Sequence, residues 1–306
     1  MKKSKSSSKK EKKYLIALYN TRSFLAMVAS ITVMFSSTYA IVGGLIRYAL
    51  NNESIFNHFQ YFTTDSNLLT LVAICMITPY AIEGYRKKRF SCPKWVAHFL
   101  YCGTTCVSLV MFFTIFFISW SNPELAFTGF NTFLHIICPI LIIISFFMIE
   151  SGYKYTIKDC FLCIIPIFIY ELIYLVEVVF IGEANGGWAD LYMVATYTPW
   201  WFSLPALTLI AFGLASLIAF VNNSLVDYRK KKLLSNLPDN NEYAPAALKI
   251  EFFGLGRYIG KFNRNSALEL PMDLIDLISE KYNLGKEELT KIYVKGFLDS
   301  RAGKGN

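Results

Sequence analysis

Three stretches of this 306-residue chain, 50–61, 120–130 and 183–201, hold no Lys or Arg at all, and the long apolar runs between them are nearly empty of charge. That absence excludes a soluble domain, in which charged residues recur every few positions on the solvent face. Nor do the cysteines make a disulfide framework: Cys75, Cys92, Cys102, Cys106, Cys138, Cys160 and Cys163 all fall in apolar runs or beside basic segments. Cys160-x-x-Cys163 opens an apolar helix with no second ligand pair nearby, which argues for two small core sulfurs and against a metal site. The first span is not expected to be a removable leader. The first apolar stretch is longer than an h-region of about 7–15 residues, and no small-residue cleavage site follows it.

What the sequence has is hydrophobicity, at 54% of residues and a mean hydropathy of +0.40. It is gathered into runs of about 20 residues, the length that crosses about 30 Å of hydrocarbon at 1.5 Å per residue. The expected fold is therefore all-α and polytopic, with six transmembrane helices near 23–46, 64–83, 95–119, 131–149, 159–182 and 202–222. Basic residues settle the expected orientation, because Lys and Arg are costly to carry across. They crowd into 1–22, into 86–94 (Arg86, Lys87, Lys88, Arg89, Lys94), into Lys154 and Lys158, and into Arg229–Lys232. Four basic segments alternating with three bare ones put both termini in the cytoplasm of a plasma membrane. The formal charge of +8 then forms a collar facing anionic lipid. It is not a nucleic-acid footprint.

The chain divides into a basic disordered cytoplasmic tail, 1–22, a six-helix domain, 23–226, and a cytoplasmic region, 227–306. Within the last, Ala246, Ala247, Ile250, Phe253 and Tyr258 interleave with Lys249, Arg257 and Lys261 as an amphipathic surface helix would, although Gly254, Gly256 and Gly260 oppose one. From Pro271 onward Leu274, Ile275, Ile278 and Tyr282, then Leu289, Ile292, Tyr293 and Phe297, recur at helical spacing on either side of Gly285. These predict a small helical hairpin that docks an unknown cytoplasmic protein; with no basic stripe, nucleic acid is not its partner.

Polar groups inside hydrocarbon cost free energy unless paired, so those present point to function. Three clusters stand out. Tyr61-Phe62-Thr63-Thr64-Asp65-Ser66-Asn67 opens the second span, with Thr64 and Asn67 on one face; a helix cap and a functional site account for it equally well. Asn131, His135 and Pro139, at i, i+4 and i+8, share a face of the fourth span, and Pro139 has no N–H for the carbonyl of His135. At 1.5 Å per residue His135 lies about 6 Å inside the bare end, a depth similar to that of Thr64. The third cluster is Tyr170, Glu171, Tyr174 and Glu177 in the fifth span. Glu177 either orients His135 or is a protonated acid hydrogen-bonded to a tyrosine.

Tyr-Phe-Thr-Thr-Asp-Ser-Asn-Leu-Leu at 61–69 followed by Asn-x-x-x-His at 131–135 resembles the androgen-induced and androgen-dependent six-span membrane hydrolases and their bacterial relatives. The resemblance covers roughly 20–222. Gly186-Gly187-Trp188 through Tyr197-Thr198-Pro199-Trp200 also looks like that family's aromatic segment before the last span, with Thr198 inserted between Tyr and Pro. It implies hydrolysis of fatty acid esters of hydroxy fatty acids, with Thr64, three positions before Asn67, as nucleophile and His135, four positions after Asn131, as base. Asn67 and Asn131 are then donors to the oxyanion, and Asp65 and Glu177 supporting acids. No cofactor or metal is called for; the partners are membrane lipid and a hydrophobic ester. The alternative is a membrane transporter or scaffold that does no chemistry, to which inverted repeats or interrupted spans would point. Pro79, Pro139 and Pro166 are the candidate interruptions.

Overall fold

The computed structural model describes the backbone of residues 2–52, 54–87, 92–118, 123–149, 153–192, 194–196, 199–236, 248–249, 252–257 and 272–302. Every element among the described residues is helical. Six helices are long and apolar enough to cross a membrane: Phe24–Leu50, Phe62–Tyr85, Lys94–Phe116, Phe130–Met148, Ile157–Ile181 and Trp200–Tyr228. We label them α1 to α6, taking α1 as Lys2–Leu50, α2 as Phe62–Lys87 and α6 as Trp200–Asn236 where the helix runs on. Each expected span agrees with one of these to within a few residues, apart from longer ends on α1 and α6.

α1 departs from expectation at its start. The basic segment expected to be without structure continues the helix from Lys2. Helix growth adds one hydrogen bond per residue once a nucleus exists, and lysine is a good helix former. The apolar span supplies that nucleus.

The chain forms two compact units. One, Arg22–Ile82 with Phe90–Ser224, carries the spans. Its core is layered on α3, whose residues Leu100 to Leu109 are all buried, with Tyr101 at its centre. Tyr101 stacks on Tyr155 at a ring separation of 4.4 Å and donates its hydroxyl to the Ala215 carbonyl at 2.7 Å. α5 begins on a capping box, Thr156 with Asp159, which satisfies free N–H groups at the helix start. Lipid-exposed positions such as Phe35, Phe168, Leu209 and Phe220 stay apolar, as a hydrocarbon solvent requires.

Two of the three candidate prolines disturb their helices. Pro166 follows a break at Ile164, and the next helix starts from there with the Phe168 N–H on the Ile164 carbonyl at 3.0 Å. Pro139 follows a π-helical turn, Phe133–Ile137. Pro79 sits inside α2.

The other unit comprises Met1–Thr21, Glu83–Arg89 and Leu225–Asn306. The expected hairpin is there as α7, Met272–Tyr282, and α8, Lys286–Arg301, joined across Gly285. Pro271 lies outside the described residues, as do Ala246, Ala247, Ile250, Tyr258, Gly260 and Lys261 of the expected amphipathic segment. Phe252–Arg257 is helical despite Gly254 and Gly256, and the reason is contact: a Cβ on Gly256 would lie 2.1 Å from the Tyr293 carbonyl oxygen, and one on Gly296 2.1 Å from that of Phe253. The glycines let two backbones touch.

Candidate functional site

The first turn of α2 needs donors satisfied, and the satisfying group comes from far away. Tyr192 Oη accepts the Phe62 N–H at 2.9 Å. Because that phenol caps the helix, the hydroxyls of Thr63 and Thr64 are not needed for it. Thr64 Oγ1 instead lies 3.5 Å from His58 Nε2, with Thr64 only 1% and His58 only 6% exposed.

His58 belongs to a short 3-10 turn, Ile55–Gln60. Tyr170 of α5 anchors that turn by donating to the Gln60 carbonyl at 2.6 Å. The imidazole fits over α1 because position 44 is glycine: a Cβ there would lie 2.6 Å from Nε2. One turn later Tyr48 packs on the ring at 5.0 Å. Burial holds the His58 imidazole below its ordinary pKa of 6.5, so it is neutral near pH 7.

Asn67, fully buried, joins α2 to α4. Its Nδ2 donates to the Thr63 carbonyl at 2.7 Å and to the Leu134 carbonyl at 3.1 Å. The second bond bears on the carbonyls that Pro139 leaves without a helix donor. In the π turn, the Cys138 N–H reaches the Phe133 carbonyl, five residues back. By the same step Pro139 faces Leu134, and it is Leu134 whose carbonyl lacks a helix donor and takes one from Asn67. His135, 8% exposed, is the next residue in that turn, and Asn131 is half-buried one turn before it.

The structure thus gathers Thr64, His58, Asn67 and the Leu134–His135 turn in one buried region. The contacts that gather them do not include Asp65 or Glu177. Asp65 is half-buried in the first turn of α2; Glu177 is half-buried in a second π turn, Leu175–Ile181, where its carbonyl accepts the Gly182 N–H at 3.0 Å. Glu171 takes its hydrogen bond from Thr208 at 2.5 Å. Tyr170 and Tyr174 donate their hydroxyls to the Gln60 carbonyl and to Asp190. Asp190 ties up the loop after α5, accepting from Tyr174 Oη and from the backbone N–H groups of Val194, Ala195 and Thr196, each at 2.9 Å. Partial burial works against its charge, but hydrogen bonds from Thr196, Tyr174 and this backbone outweigh that and hold the carboxyl below its usual range.

His58 is the residue that sequence reading missed. The signal was there: it is one of three histidines, in a stretch bare of Lys and Arg, six positions before Thr64. Of the other two, His98 is on α3, with Nδ1 3.9 Å from Asp159 Oδ1, beside Lys94.

Chemically, the region offers a hydroxyl against a neutral imidazole, both shielded from water. Both N–H bonds of Asn67 are committed to carbonyls, so Asn67 is not a free donor for an oxyanion. Among the described residues no three His, Cys, Asp or Glu side chains are grouped to hold a metal ion. No family model, curated protein or solved structure matches the chain.

Proposed function

We propose that a buried threonine hydroxyl held against a neutral imidazole, in a protein with six helices able to cross a membrane, serves hydrolysis of a fatty-acyl ester drawn from the lipid phase. Thr64 is the nucleophile. The observation that carries this reading is the 3.5 Å approach of Thr64 Oγ1 to His58 Nε2. A threonine hydroxyl attacks only when a base removes its proton, and a neutral imidazole is competent near pH 7. Distances near 3.5 Å are common before substrate closes the site. With its proton on Nδ1, His58 takes the Thr64 proton on Nε2 as Oγ1 attacks the ester carbonyl; the ester C–O bond breaks, the departing alcohol oxygen recovers that proton from His58, and water then releases the acyl group from Thr64. His135, the base implied by the family resemblance, is the competing assignment. Alanine variants of the two histidines separate them.

The distribution of Lys and Arg supports a plasma-membrane placement, bacterial by the family resemblance, with both termini in the cytoplasm and the Thr64 end of the bundle in the outer leaflet. An ester near the headgroup boundary would meet Thr64 there. The partners are then membrane lipid and the ester itself, and residues 227–306 dock a cytoplasmic protein. Fluorophosphonate labelling of the purified protein tests the reading: a covalent adduct mapped to Thr64 is expected, and no adduct on folded protein overturns it. The transporter alternative finds support in the break at Ile164, which divides the fifth span into two helices.

A further inference from the structure

Asn67 Oδ1 is fully buried and accepts no hydrogen bond among the described residues. The amide orientation is not arbitrary. Turning it over would set Oδ1 against the carbonyls of Thr63 and Leu134, which Nδ2 now reaches at 2.7 and 3.1 Å. The acceptor is therefore fixed, on the turn after Thr64, in a region with 0–1% exposure at both residues. An acceptor buried without a donor is costly, so one held in place by two bonds on the same amide points to a place where a donor arrives during function.

We propose that Asn67 Oδ1 receives the water that deacylates Thr64, an inference that rests on the hydrolase reading above. In that step the water oxygen bonds to the acyl carbon while His58 Nε2 accepts one of its protons and Asn67 Oδ1 holds the other hydrogen. The bond between the acyl carbon and Thr64 Oγ1 then breaks, Oγ1 recovers the proton from His58, and a carboxylic acid leaves. No oxidant or second reactant is consumed. Asn67 acts as a positioning residue for water, in place of the oxyanion role that the sequence suggested.

The test is single-turnover reaction of the detergent-purified full chain with p-nitrophenyl butyrate, following nitrophenol release for acylation and intact mass for decay of the adduct. Decay of an adduct already formed is independent of how much protein folded. Asn67→Leu, which removes the acceptor, should acylate yet lose its adduct about tenfold more slowly, the equivalent of one hydrogen bond. Hydroxylamine, a nucleophile stronger than water, should restore its turnover. Asn67→Asp keeps an oxygen there and loses both N–H donors; it should acylate slowly and shed its adduct faster than Asn67→Leu, which keeps the inference testable if the leucine variant does not fold. An adduct in the unsubstituted protein with equal decay in both variants overturns this inference alone, Oδ1 then holding a structural water only. No adduct in the unsubstituted protein overturns the hydrolase reading and this inference together.

Discussion

Thr64 and His58 stand six residues apart, yet their side chains meet only because a 3-10 turn folds His58 back over Gly44 onto the first turn of α2. The pair is thus made by a loop and a helix, with α1 as the floor.

Removing either partner should stop chemistry without unfolding the bundle. Thr64→Ala is expected to reduce ester hydrolysis and fluorophosphonate labelling to background, with Thr63→Ala retaining most of both. His58→Ala should lower hydrolysis by about 10²–10⁴-fold, the usual worth of a positioned base. If His135→Ala shows that loss and His58→Ala does not, the base is His135.

The pH profile should report the same imidazole. Burial lowers the pKa of His58 below 6.5, so the base stays unprotonated as pH falls through that value. The acid limb of kcat/KM should therefore lie below pH 6.5, and it should vanish in His58→Ala. The linked effect on stability has a definite sign: a histidine with a depressed folded-state pKa favours the folded form above its unfolded pKa, and that contribution is lost as pH drops through 6.5 and below. A limb above 6.5 would be evidence for a different base.

Gly44→Ala tests the floor. The added methyl would lie 2.6 Å from His58 Nε2, and a displacement near 1 Å at a reacting group costs about 10²-fold. Gly213→Ala on α6, where a Cβ meets nothing within 4 Å, should leave activity unchanged and serve as the control. Equal activity in the two variants would show that the His58 ring can shift without consequence.

Much of this was legible in the sequence and some was not. The spans were readable because apolar runs of about 20 residues have few other uses, and the α7–α8 hairpin because Gly285 interrupts a clear period. Thr64, Asn67 and His135 were singled out by polarity in an apolar context, the one signal a membrane sequence gives cheaply. His58 escaped because it lies in a loop, where polarity is ordinary and only the fold shows what it meets. The acceptor role of the Leu134 carbonyl was not legible, because the change from α to π at 133–137 leaves no mark in the residue pattern.

Orientation can be read with thiol chemistry. In a background with the native cysteines replaced, Leu125→Cys should react with an impermeant maleimide in intact cells and Phe90→Cys should not. The reverse pattern would overturn the charge argument and place the Thr64 end in the cytoplasm.

Tyr192→Phe removes the acceptor for the Phe62 N–H. A loss of about 0.5–1.5 kcal/mol is expected, seen as a drop of a few degrees in Tm. Activity should fall further than stability, because the frayed turn carries Thr64. Proportional losses would make Tyr192 a structural residue only.

The bond from the Phe62 N–H to Tyr192 spans 130 residues of sequence, and it sets a schedule for biosynthesis. When Thr64 leaves the ribosome the Phe62 N–H lacks its Tyr192 acceptor, and that acceptor does not exist until the segment after α5 has been made and carried to the same end of the bundle. Chains released early, or stalled after α4, would hold a threonine and a histidine near each other on an unsecured turn. The nascent protein is therefore expected to stay chemically silent through most of its insertion, and to become competent only when the segment preceding the last span arrives.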